Sequence, residues 1–181
     1  MNDKGTKIIE VARKLGVNPN HLDALINFET AGTYDPLIAS YNPASTAKGL
    51  IQINDPTAKE IFGTDSASLV NTYRTFDSQM DHVVVPYFKH RMKYYNDGKP
   101  LNNLHKLSMA VFYPAYVKKS PYEKFPKVVS DNNENIYTPN DYVSFVKRRL
   151  KKENLQVPKL SLAATILLIA AGAIWYLTRR K

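Results

Sequence analysis

The chain has 181 residues, with 25 Lys and Arg against 16 Asp and Glu, a formal net charge of +9, 44% hydrophobic residues and no cysteine. That length suits one ordinary domain with an appendage, and the lack of cysteine excludes disulfides, thiolate zinc sites, iron–sulfur clusters and a cysteine nucleophile. A charge of +9 fits either nucleic acid or an anionic membrane, but Lys147 to Lys181 holds nine basic residues and one acid, which leaves residues 1–146 at a net +1.

Residues Thr6 to Leu15 carry Ile8, Ile9, Ala12 and Leu15 at helical spacing, with Gly16 as a stop. Asn18-Pro19 has the form of an N-cap followed by proline at the first helical position, predicting a second helix from Pro19 to about Thr30. Asp55-Pro56 repeats that signature for a short helix to Phe62, closed by Gly63. The run from Asp77 to Tyr95 is helical in pattern, and Pro86 must kink or split it. Leu104 to Tyr113 reads as a short apolar helix broken at Pro114, and Thr138-Pro139 opens a last helix to about Lys152. Gly49 to Ile53 fits a short strand or an irregular turn. The fold class expected is mainly α, with one soluble domain over residues 1–146.

Residues 160–178, from Leu160 to Thr178, contain no charge. As a helix they would extend about 28 Å, against a hydrocarbon core of about 30 Å. Trp175 and Tyr176 stand at one end, where aromatic rings favour the interface, and Lys159 and Arg179 bracket the run. A single-pass C-terminal transmembrane helix is therefore expected, preceded by a basic juxtamembrane segment (147–159) and followed by a basic tail (179–181). Lys147, Arg148, Arg149, Lys151 and Lys152 are expected to attract anionic lipid headgroups. The first residues lack the apolar run of a secretory signal peptide and any myristoylation pattern. The layout expected is thus a domain followed by its anchor.

Glu29 follows Leu22, Leu25 and Ile26 by seven, four and three residues, so helical spacing puts a carboxylate on the apolar face of the second helix. Burial there raises a carboxyl pKa, and the negative end of the helix macrodipole pushes the same way. A glutamic acid kept protonated near neutral pH is suited to protonating a glycosidic oxygen.

The residues around it form a wider pattern: Glu29-Thr30, then Gly49-Leu50-Ile51-Gln52-Ile53, then Ala110-Val111-Phe112-Tyr113-Pro114-Ala115-Tyr116, with Ser78-Gln79-Met80-Asp81-His82-Val83 between. This set resembles the lytic transglycosylases of lysozyme-like fold, especially phage-encoded members, over roughly Leu22 to Tyr116. It departs from them at Pro114, where the family usually has Asn. The resemblance implies a lysozyme-like fold and cleavage of the β-1,4 bond between N-acetylmuramic acid and N-acetylglucosamine in peptidoglycan. It implies Glu29 as the sole catalytic acid/base, closing a 1,6-anhydro ring with the sugar's own 6-hydroxyl. Gln52, Gly49, Thr30, Tyr113 and Tyr116 would line the substrate site, Gly49 by letting the glycan approach its backbone and Tyr113 by packing near Glu29 and holding it.

Asp35 and Asp55 are the nearest candidates for a second carboxylate, which a hydrolytic muramidase would use; Asp35-Pro36 reads as a turn and Asp55-Pro56 as a helix cap. The four histidines have no metal-ligand spacing, so no metal and no cofactor is expected. A near-neutral body is a poor match for nucleic acid, so none is expected as a specific partner. Peptidoglycan strands and a lipid bilayer are the partners expected, in the internal membrane of a phage virion during genome entry or in the host inner membrane. A non-enzymatic, membrane-anchored glycan-binding or structural virion protein is the alternative, supported by Pro114.

Overall fold

Helix α1 (Asp3–Leu15) buries Ile8, Val11, Ala12 and Leu15, the stripe its spacing predicts, and begins three residues earlier than expected. Helix α2 (Pro19–Glu29) starts where predicted: the Asn18 side chain accepts from the Asn20 N–H, and Pro19 occupies the first turn. In this computed structural model residues 3–133, 135–150 and Gln156 are described. The domain is mainly α, and no strand occurs among the described residues.

Between α2 and the next helix, residues 30–54 form an irregular loop held by two isolated antiparallel bridges, Ala39 to Lys48 and Lys48 to Ile53. The Gly49–Ile53 segment is therefore a turn. Helix α3 (Asp55–Phe62) is capped by Asn54, whose side chain accepts from the Thr57 N–H, and ends at Gly63 with φ of 71°. The expected cap, Asp55, is instead the first helical residue. Its carboxylate accepts from the N–H and hydroxyl of Ser66, in helix α4 (Ser66–Thr72).

The predicted helix over Asp77–Tyr95 is split. Helix α5 (Phe76–Gln79) passes into a π turn (Met80–Val84) and then helix α6 (Val85–Tyr95). Proline at 86 has no N–H to donate and its ring crowds the carbonyl four residues back. The wider turn just before it, in which the Val85 N–H reaches the Met80 carbonyl, accommodates this without ending the rod.

Helix α7 (Leu104–Phe112) stops one residue before the predicted end, because Tyr113 precedes a proline and adopts extended backbone. A 3₁₀ turn (Pro114–Tyr116), the short α8 (Lys127–Asp131) and α9 (Pro139–Leu150) complete the chain order. The core gathers Ile8, Leu22, Leu25, Ile26, Met80, Phe88, Leu107, Met109 and Val146, all buried. Helix α2 packs chiefly against α9 and α1, so its C-terminal end lies among elements from both ends of the chain.

Among the described residues no helix is long and apolar enough to cross a membrane. The expected span at 160–178, the tail at 179–181 and the basic residues Lys151, Lys152 and Lys159 lie outside the described residues.

Candidate active site

Glu29 is the last residue of α2 and is half-buried. The apolar stripe formed by Leu22, Leu25 and Ile26 is fully buried behind it. Desolvation dominates its acidity and pushes the carboxyl up to about 7, opposed by a hydrogen bond from the Tyr142 hydroxyl to Oε1. At neutral pH such a group is part protonated, able to give a proton and then to take one.

Tyr142 comes from α9, 113 positions along the chain, and is itself buried. Its ring stands edge-on to Phe28, with centroids 5.4 Å apart, and stacks on Phe112 of α7 at 4.4 Å. Desolvation and the facing Glu29 carboxylate hold the Tyr142 hydroxyl well above its ordinary pKa, so it stays a donor. Sequence reading passed over this residue. Its signal was a tyrosine in the Tyr142, Val143, Val146 stripe, where a buried hydroxyl needs a partner.

Tyr87 of α6 lies within electrostatic reach of Glu29. Burial pushes its hydroxyl up to about 12, the Arg91 guanidinium pulls it down and the Glu29 charge adds to the rise. That hydroxyl donates to the Ala110 carbonyl at 2.7 Å, while the Arg91 guanidinium lies 4.9 Å from the ring centroid.

The other expected site residues divide. Tyr113 and Tyr116 pack on Phe125, which touches Phe112 and so reaches Tyr142 through two rings. The hydroxyl on Glu29 is thus Tyr142's, in the place expected of Tyr113. The Tyr116 hydroxyl donates to the Lys124 carbonyl at 2.8 Å. Thr30 is fully buried; its hydroxyl donates to the Ile26 carbonyl at 2.7 Å and accepts from the Tyr34 N–H at 3.1 Å. It closes the end of α2 and has no surface for the substrate contact expected of it.

Gly49 has a packing role in the loop. With φ of +78°, a Cβ there would stand 2.7 Å from Oε1 of Gln79, so the missing side chain makes room for the Gln79 amide. Buried Gln79 clamps the loop: Oε1 accepts from the Leu50 N–H, and the amide nitrogen donates to the Pro36 carbonyl. Gln52 has φ of +46°, unusual for a residue with a Cβ. Its Nε2 donates to the carbonyls of Gly49 at 3.1 Å and Ile38 at 3.4 Å.

Among the described residues no second carboxylate contributes to the acidity of Glu29. Asp35 accepts from the Leu37 N–H, and the hydrogen bonds from Ser66 hold Asp55 below its ordinary pKa. Among the described residues no group of three or more His, Asp or Glu side chains gathers to hold a metal ion. Comparison with protein-family models, curated proteins and solved structures gives no match to this chain.

Proposed function

We propose that the domain is a lysozyme-like peptidoglycan lytic transglycosylase with Glu29 as its only catalytic acid/base. The observation that carries this reading is the Glu29 carboxyl, pushed up to about 7 by desolvation, held by Tyr142 and, among the described residues, without a second carboxylate acting on it. In the first step Glu29 gives its proton to the leaving glycosidic oxygen as the bond to C1 of N-acetylmuramic acid breaks. In the second, its carboxylate takes the proton of the C6 hydroxyl while that oxygen bonds to C1. The protein ends as it began, no water is consumed and the product is a 1,6-anhydro sugar. The Gln52 amide nitrogen is engaged within the loop, so its oxygen is the atom it would offer to a sugar hydroxyl.

The test is incubation of the protein with purified peptidoglycan, followed by mass spectrometry of the soluble products. Anhydro-muropeptides from the native chain, reduced about 10²–10⁴-fold in Glu29→Gln, are expected for loss of a general acid/base. Reducing-end products would support a hydrolytic muramidase instead. Glycan binding without turnover would support the non-enzymatic alternative, for which the Pro114 turn is the feature at hand.

A further inference from the structure

Helix α9 brings more than Tyr142 to the end of α2. Arg149 follows Tyr142 by seven residues on α9, which places it about 20° round the helix from Tyr142 and about 10 Å further along the axis. Both meet the same side chain. The Phe28 ring centroid lies 5.4 Å from that of Tyr142 and 5.9 Å from the Arg149 guanidinium. Phe28 immediately precedes Glu29, and Phe28, Glu29 and Arg149 are all half-buried, so this edge of the site is open to solvent. A guanidinium at that distance from a ring is held by a cation–π contact, which orders its fork of N–H donors before any ligand arrives.

The neighbouring cations do not share this position. Helical spacing turns Lys147 and Arg148 about 140° and 120° away from Tyr142, to opposite sides. The Arg148 guanidinium lies 4.3 Å from the ring centroid of Phe145, on its own helix. Nor does Arg149 act on the acid itself: burial and the Tyr142 hydroxyl set the Glu29 proton, and the guanidinium is not among those influences. What Arg149 adds is a fixed positive charge beside the carboxyl, placed for a different part of the substrate.

We propose that Arg149 is a specificity residue of this site, binding a carboxylate on the peptide branch of a peptidoglycan strand. The proposal rests on reading Glu29 as the acid of a glycan-cleaving site, and it names the substrate class: strands whose branches carry free acid groups. The branch begins on the lactyl group of the same N-acetylmuramic acid whose C1 bond would face Glu29. About three residues of extended peptide span the roughly 10 Å of α9 between Tyr142 and Arg149. A planar guanidinium takes a carboxylate through two parallel N–H···O bonds, a geometry that a lysine ammonium does not offer. Sugar rings carry no charge and would gain little from it.

The test measures binding of the full chain, in a neutral detergent, to soluble peptidoglycan strands that keep their peptides. Carbodiimide coupling to methylamine turns the carboxylates of a second sample into neutral amides and leaves sugars and peptides in place. Glu29→Gln serves as the parent chain, so that strands are not consumed. The parent is expected to bind untreated strands about tenfold more tightly than amidated ones, the worth of one charge-assisted pair. Arg149→Gln on that parent is expected to bind both alike. Lys147→Gln, which removes the same charge from another face, is expected to keep the preference. A preference that survives Arg149→Gln, one lost equally in Lys147→Gln, or no binding of either strand would overturn the proposal. So would a preference abolished by phosphatidylglycerol doped into the micelle, since the guanidinium would then belong to lipid headgroups. Binding needs no turnover, so the two readings fail separately. Muropeptide release without a carboxylate preference ends this proposal alone, and a preference without release ends the enzymatic reading alone.

Discussion

Two opposed influences set the proton on Glu29: desolvation favours the neutral acid and the Tyr142 hydroxyl favours the carboxylate. Because the folded pKa lies above the unfolded one, the folded state binds the extra proton between about pH 4.5 and 7. Stability is therefore undiminished below that window, falls across it and stays lowered above it, by a penalty of order 3 kcal/mol. Glu29→Gln is expected to raise the stability above pH 7 by up to about that amount and to leave it unchanged near pH 4. Denaturant titrations at the two pH values check this, and an equal effect at both would contradict it. Tyr142→Phe keeps the ring against Phe28 and Phe112 but removes the bond that lowers the carboxyl pKa. Its expected outcome is an activity profile whose alkaline limb moves to higher pH, with a rate loss of about tenfold, the worth of one charge-assisted hydrogen bond. Glu29 was legible in the sequence because its environment is written three, four and seven residues before it. Tyr142 was not, because only folding brings residue 142 to residue 29.

At the scale of elements, the loop after α2 owes its shape to one residue pair. Gln79 satisfies a buried N–H at Leu50 and the carbonyl of Pro36, and Gly49 makes room for it. Gln79→Ala leaves the Leu50 N–H without its partner and is expected to cost about 1–3 kcal/mol. Gly49→Ala meets both a left-handed backbone and the Gln79 amide. Its cost should fall on the Gln79→Ala background, where only the backbone strain remains, so a double-mutant cycle by urea denaturation is expected to show coupling of about 0.5–3 kcal/mol. Additive costs would contradict the clamp. Helix starts marked by Asn-Pro or proline alone were readable, as at Asn18-Pro19 and Pro139. Helix α4 was not: Ser66-Ala-Ser-Leu-Val-Asn-Thr72 is a poor helix former with few apolar residues, nucleated by the Asp65 cap accepting from the Ser68 N–H. The Pro86 split was foreseen as a kink, but a π turn depends on hydrogen-bond register, which composition does not encode.

For the whole molecule, the separation of a near-neutral body from a basic, partly uncharged C-terminal segment was plain in the sequence, and so was the mainly α class. The crossing of α9 over α2, which joins the start of the chain to residues near 142, needed the structure. If residues 160–178 span a bilayer and the basic residues only assist, attachment of the full chain to anionic vesicles is expected to persist at about 1 M salt, where the screening length is about 3 Å. Release by salt in a flotation assay would reduce the attachment to surface charge. The central claim, that one desolvated carboxyl does both proton transfers, is most directly tested by the pH dependence of product release from peptidoglycan, with each product weighed. The account predicts anhydro-muropeptides whose rate falls as pH rises through about 7, the pKa of Glu29. Reducing-end products, or a rate that does not change between pH 5 and pH 9 (about two units either side of that pKa), would contradict it.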